Sequence, residues 1–262
     1  VNYGGSYGTN GFYLPFNPNS STYVGSFGAS QYLSIADNSA FNLGSNDFTL
    51  EFWVCLNSLA ADAFIFYKRA SLLANAYASI NCSFVHSGGN VFNYEVANSA
   101  GNGYQINGNG TTVPIVGQWY HIAMVRNGST FTAYVNGKVD YTGSVSSTVF
   151  NNSQAVTIGY DPYSNAYFNG YISNLRLVNG TAVYTAPFTP PTANLTNISN
   201  TSLLTLQNAT IVDNSSNAFT ITNNGSVTTA QSYPFSANVV FNDQSPQGNN
   251  WTPNNISGAS GS

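Results

Sequence analysis

The chain has 262 residues, 5 of them basic and 9 acidic, and charged residues make up only 5% of it. An ordinary soluble domain carries about 25% charged residues, and nucleic-acid binding needs clustered lysine and arginine, so this composition leaves no basis for that function. With 42% apolar residues, including 18 Tyr, 17 Phe and 3 Trp, the chain can fill a large core, and no apolar run reaches the roughly 20 residues of a membrane-spanning helix.

Solubility must come from uncharged polar groups: 38 Asn, 55 Ser plus Thr and 24 Gly. Such a surface suits a rigid, weakly interacting shell outside the cell. Val1 is not an initiator Met, and neither a basic leader nor an apolar one follows it, so the chain is expected to be processed or a piece of something longer. Cys55 and Cys82 sit in the apolar runs FWVCL and INCSFV. They read as two buried thiols or as one bridge, too few for a disulfide scaffold.

No 3.6-residue apolar stripe occurs, whereas β-branched and aromatic runs recur between Asn, Gly and Ser clusters, which makes the chain all-β. In chain order the predicted strands are 31–35, 47–57, 62–68, 77–85, 90–97, 118–126, 130–136, 154–160 and 167–178. Asn127-Gly128 and Asn136-Gly137 turn the chain twice, so 117–145 reads as a three-stranded meander, the first turn with positive φ at both positions. In the strand 118–126 both alternating sets are apolar, as they are around Phe52, Val54 and Leu56, so these strands are central and covered on both sides. Two packed sheets follow. Residues 185–202, rich in Pro, Asn and Thr, read as a crossing segment without regular strands, and short strands resume at 203–207 and 218–222.

The succession DFTLEFWV (47–54), GQWYHIAMVRNGSTFTAYVNGK (117–138) and IGY with FNGYISNLRLVNGTAVY (158–184) resembles the laminin G-like branch of the concanavalin A-like lectin/glucanase superfamily. The resemblance covers about residues 22–235 and implies a two-sheet antiparallel jelly-roll sandwich. NLRLVNGTAVYTAPFTPPTANL (174–195) is similar to a segment of laminin G-like domains in structural proteins of tailed bacteriophages, marine phages especially. Arg176, Gly180, Thr181, Ala182, Tyr184, Phe188, Thr189, Pro190 and Pro191 keep that pattern, while Val183 stands where those proteins usually carry Arg. GFYLPFN (11–17) and DQSPQGNNWTPNNIS (243–257) resemble two blocks that such proteins place close together. Residues 1–21 and 236–262 are therefore expected to form an outer unit into which the jelly roll 22–235 is inserted, with 11–17 beside 239–252.

Catalytic chemistry is poorly supplied. A retaining glycosidase needs two carboxylates about 5 Å apart, but the only glutamates are Glu51 and Glu95, and neither has an acidic neighbour within three residues. Of the two histidines, His121 reads as a core residue whose ring nitrogens bond neighbouring groups, and His86, in VHSGGN, as an exposed turn residue. The expectation is that the protein is not an enzyme. Asp47, Asp161 and Asp213 are candidate calcium ligands, Asp161 foremost, against the simpler reading of each as a turn-former; no other cofactor is expected.

Sugar binding needs exposed aromatic faces beside polar groups on a rigid loop. Residues 160–168 supply Tyr160, Asp161, Tyr163, Asn165 and Tyr167, and the stretch 98–110 adds Tyr104 as a second loop; both loops serve equally for contact with a neighbouring subunit. The composite expectation is a virion structural or adhesion component, on a capsid, tail or fibre, exposed at the particle surface. Its partners would be other virion subunits, in a homo-oligomer or multicopy array, and cell-surface glycans, with no nucleic acid and no membrane. The alternative is an extracellular or filament-forming structural glycoprotein, which 14 Asn-x-Ser/Thr sequons leave open.

Overall fold

Strands with one apolar set of alternate residues can bury that face only against another such face, and here they do so as two antiparallel sheets. The computed structural model describes residues 22–69 and 77–235. One sheet has eight strands: in spatial order β10 (Lys138–Ser144), β9 (Thr130–Val135), β8 (Trp119–Asn127), β3 (Phe48–Leu56), β14 (Gly170–Asn179), β1 (Thr22–Phe27) and β17 (Thr228–Ser232), with β15 (Thr201–Thr205) also paired to β14. The other has seven: β16 (Thr222–Asn224), β2 (Tyr32–Ile35), β11 (Val156–Ile158), β4 (Ala63–Lys68), β5 (Ile80–Val85), β6 (Val91–Ala97) and β7 (Tyr104–Asn109). Two short strands, β12 (Tyr160–Asp161) and β13 (Ala166–Tyr167), form a separate hairpin. The result is a jelly-roll sandwich, as expected.

The core lies between the sheets. Phe48, Leu50, Phe52, Val54 and Leu56 of β3 and Ile122 and Met124 of β8 meet Ile80, Phe84, Phe92 and Val96 of the facing sheet. Burying each such side chain contributes about 1.5–3 kcal/mol. All nine residues of β3 are buried, because the outer face of the eight-stranded sheet is also covered. There the chain entering the crossing segment lays Tyr184 and Phe188, stacked at 3.6 Å, over Ala123, Val125 and Tyr134.

That covering segment is bonded to the sheet at several points. Thr49 Oγ1 donates to the Thr181 carbonyl and accepts from the Val183 amide. The Leu195 amide donates to Asn174 Oδ1, and Arg176 Nη1 donates to the Thr196 carbonyl. Beneath it, Arg176 donates twice to Glu51 Oε1, at 3.0 and 2.6 Å, and the Tyr184 hydroxyl donates to Oε2 at 2.7 Å. Burial pushes the Glu51 carboxyl up, but His121, Arg176 and Tyr184 together hold it below its ordinary value. His121 is fully buried, with Nε2 3.3 Å from Glu51 Oε2. Nε2 thus engages Glu51, as expected of a core histidine, while Nδ1 makes no hydrogen bond and the ring stands edge-on between Trp53, Tyr184 and Phe188.

Several local expectations change. The first meander turn is Gly128-Ser129, because Asn127 pairs with Thr130; only Gly128 has positive φ, at 61°. Asn136 and Gly137 are both positive, at 50° and 73°. Residues 104–109, taken as loop, form the edge strand β7 against β6, with Ile106 inward. The stretch 218–222 is not a strand: Ala218 has φ 48° and the Phe219 amide is held by Asp213 Oδ2, so pairing begins only at Thr222. β1 and β17 had no clear signal. Cys55 and Cys82 are buried free thiols. The segments 11–17 and 239–252 lie outside the described residues.

Candidate functional site

Cross-strand pairing places paired residues on one face of a sheet. Across the seven-stranded sheet the registers align Asn107, Glu95, Asn81, Tyr67, Thr157, Ser34 and Thr222, one from each strand. A second row joins Asn109, Asn93 and Ser83. Their strand neighbours Ile80, Cys82, Phe92, Tyr94 and Val96 point into the core, so both rows lie on the outer face. An unbroken band of amides, hydroxyls and one carboxylate therefore crosses the sheet.

At its centre, Asn81 Nδ2 donates to Glu95 Oε2 at 2.9 Å. Asn81 is 1% exposed, yet its Oδ1 has no hydrogen-bond partner. A buried unpaired acceptor costs about 1–3 kcal/mol. Burial pushes the Glu95 carboxyl above its ordinary value, Asn81, Tyr104 and Arg69 pull the other way, and Asp161 adds to the rise. The Asn93 amide donates to Asn109 Oδ1 at 2.9 Å, extending the band towards the sheet edge.

The β12–β13 hairpin packs against β4, above this face. Thr157 Oγ1 donates to the Tyr160 carbonyl at 2.7 Å, which fixes the base of the hairpin. Asp161 is 1% exposed. Its Oδ1 accepts from the Tyr163 amide at 2.8 Å, and its Oδ2 from the amide and hydroxyl of Ser164. The carboxylate is thus turned to backbone and hydroxyl donors within the hairpin. Asp213 and Asp47 likewise accept from backbone amides. Among the described residues no three of His, Cys, Asp and Glu gather as a metal site.

Apart from Asp161, the expected contact residues separate into two groups. Tyr160 and Tyr167 stack at 4.6 Å, Tyr32 adds a third ring 4.5 Å from Tyr160, and both hairpin hydroxyls donate to Asn165 Oδ1. Tyr163, 50% exposed, carries the Arg69 guanidinium 3.8 Å above its ring. Arg69 also donates to the Tyr67 hydroxyl and acts on Tyr104, whose own hydroxyl engages Glu95. Tyr104 therefore adjoins the Asn81–Glu95 pair and Tyr163 is linked to it through Arg69, while Tyr160, Asn165 and Tyr167 build a tyrosine ridge on the same hairpin. Asn81, Glu95, Arg69, Tyr67 and Tyr32 were not singled out from sequence. Their signal was the polar alternation Asn81/Ser83 and Asn93/Glu95, visible as a site only once register is known.

The model of a family described as the concanavalin A-like lectin/glucanases superfamily matches residues 27–183. A comparison with curated proteins returns no match. Among solved structures, a protein of Bacteroides ovatus provisionally described as carbohydrate binding is similar at 16% identity, with TM-score 0.62, over 80% of this chain and 59% of its own length. Domains LG4-5 of the mouse laminin alpha1 chain align over 65% of this chain and 47% of theirs, at 16% identity and TM-score 0.46. The CBM40 of a Ruminococcus gnavus sialidase, bound to α2,3 sialyllactose, aligns over 62% of this chain and 91% of its own, at 12% identity and TM-score 0.48. The likeness to the Bacteroides protein is one of fold.

Proposed function

The chain belongs to the concanavalin A-like lectin/glucanases superfamily, and from that membership we propose that it is a non-catalytic module that binds glycans on the outer face of its seven-stranded sheet. The observation that carries this reading is the Asn81–Glu95 pair, in which one amide oxygen is buried and unpaired beside a carboxylate. Both groups accept hydrogen bonds, and Glu95, the more exposed of the two, is the one a sugar hydroxyl reaches first. The face of Tyr163 turned away from Arg69, on a ring 50% exposed, offers a stacking surface for the sugar's C–H face.

Hydrolysis is disfavoured by placement. Glu51 lies sealed on the outer face of one sheet and Glu95 on the outer face of the other, so the two cannot flank one glycosidic bond at the roughly 5 Å spacing of a retaining enzyme. Asp161 is committed to its hairpin turn.

The similarity of 174–195 to phage structural proteins supports placing the module on a virion surface, in many copies. Weak single-site affinity is then raised by multivalency. A glycan array probed with a multimerised form, with and without calcium, tests the reading. Binding is expected without calcium, and Asn81→Ala and Tyr163→Ala each weaken it about tenfold, the loss of a hydrogen bond or a stacking face. An array on which the multimer binds nothing overturns it. Particle proteomics tests the location: the chain is expected in purified virions and absent from cleared host medium.

A further inference from the structure

Lys68 ends β4 and is 1% exposed, in a chain with only two lysines. Lysine is almost never fully buried unless paired, and the surroundings of this one are unusual. Its Nζ donates to Asn151 Oδ1 at 2.8 Å and lies 3.4 Å from Asn152 Oδ1. Asp37 brings a carboxylate oxygen to 2.9 Å from the same nitrogen.

The two asparagines differ. Asn152 is clamped at both ends: its Nδ2 donates to the Lys68 carbonyl at 2.7 Å and its Oδ1 accepts from the Gln154 amide at 3.1 Å. Asn151 receives, besides Lys68, one long bond at 3.5 Å from the Ser153 amide to its oxygen. Its amide nitrogen is bonded to nothing among the described residues, so it is the carboxamide whose nitrogen is free to leave.

We propose that Lys68 and Asn151 join in an intramolecular isopeptide bond, with Asp37 moving the protons. Asp37 accepts a proton from the Lys68 ammonium, and the neutral Nζ attacks Asn151 Cγ. The Nζ–Cγ bond forms, a second Nζ proton passes by way of Asp37 to Nδ2, the Cγ–Nδ2 bond breaks, and ammonia leaves. The ammonia takes up the remaining proton as ammonium, and Asp37 ends ionised as it began. No oxidant, reductant or co-reactant is needed.

Three observations support the step. Contact between nucleophile and carbonyl in the folded chain replaces a bimolecular encounter with a positioned one. Burial lowers the Lys68 ammonium's hold on its proton, against the opposing pull of Asp37, and a desolvated lysine is an activated nucleophile. The link would tie β4 to the segment leading into β11 in a chain whose two cysteines are free, giving a covalent staple that no reductant opens.

Intact-mass spectrometry of the folded, purified protein decides the matter. The expected mass is about 17 Da below that of the sequence, for one ammonia lost in amide exchange, with a branched peptide joining Lys68 to Asn151 after digestion. Lys68→Met and Asn151→Ala restore the sequence mass. Asp37→Asn, at a side chain 29% exposed, is expected to fold by circular dichroism and also to keep the full mass. The wild-type measurement depends on no variant folding. A full sequence mass in folded wild type overturns the proposal, as does a loss of about 18 Da, which is water lost in an amide to Asp37, or a link from Lys68 to Asn152.

Discussion

Asn81 and Glu95 face each other across β5 and β6, the Asn81 amide donating to the carboxylate at 2.9 Å while its own oxygen, buried, accepts nothing. A site built for a ligand leaves such groups unsatisfied until the ligand arrives, and the free protein carries the cost. Stability at this pair and binding at it are therefore opposed.

The opposition can be measured through pH. Burial raises the Glu95 carboxyl above its ordinary value of 4.5. The folded chain then holds a proton where the unfolded chain has released it, so Glu95 favours folding on the acid side, and this contribution is lost as pH rises from the unfolded value through the folded one. Glu95→Gln removes the ionisation and keeps an acceptor for Asn81. The variant is expected to melt higher than wild type at pH 7, with the difference gone at about pH 4, while glycan retention falls. Thermal melts at the two pH values check the first effect; an unchanged difference between them would refute the linkage.

Glu51 has the opposite sign. Its carboxyl lies below the ordinary 4.5 despite burial, through His121, Arg176 and Tyr184. Its stabilisation is present above the unfolded value and is lost as pH falls through the folded one. Arg176→Met strips the buried carboxylate of its guanidinium and is expected to cost about 3–5 kcal/mol at neutral pH. Urea titrations at pH 7 and in acid read both effects: the penalty of Arg176→Met shrinks as Glu51 protonates. The covering segment, tied to Arg176 through the Thr196 carbonyl, should become protease-sensitive in the same variant.

The sandwich was legible in the sequence because its cause is local. FTLEFWVCL and WYHIAMVRN show their two apolar sets directly, and Asn136-Gly137 marks its turn. The site was legible in part. The hairpin 160–167 announces itself by tyrosine density, but Arg69 over Tyr163 joins residues 94 positions apart, and the polar band exists only through the registers of seven strands. β1 and β17 carried no signal because TYVGSF is short and broken by Gly25, TTAQS has no apolar residue larger than alanine, and their partners, β14 and each other, lie far off in sequence. What sequence cannot express is pairing, and the candidate site is made of pairing.

The two thiols give a simple check on the packing. Cys82 points into the core and Cys55 is buried on the other face of β3; burial pushes the Cys55 thiol up to about 11 and Cys82 higher still. The thiolate is the reactive species, so a thiol reagent at pH 8 is expected to titrate neither cysteine in the folded protein and both in denaturant. A rapidly reacting thiol in the native state would refute the burial of that cysteine.

Gly128 and Gly137 make a matched pair for testing how tightly the crossing segment is seated. Both have positive φ, 61° and 73°, so alanine strains the backbone at each, by about 1 kcal/mol. Around Gly128 nothing lies within 4 Å of an added Cβ, whereas at Gly137 the Cβ would fall 1.7 Å from the Phe188 carbonyl oxygen. That carbonyl belongs to the same residue whose amide donates to the Gly137 carbonyl and whose ring stacks on Tyr184. Gly137→Ala must therefore displace Phe188 as well as strain the turn, uncovering Tyr134 and His121. The expected cost in urea is about 1 kcal/mol for Gly128→Ala and about 3 kcal/mol or more for Gly137→Ala, with near-ultraviolet circular dichroism changed only in the second. Equal costs at the two sites would mean that the segment does not rest on the meander.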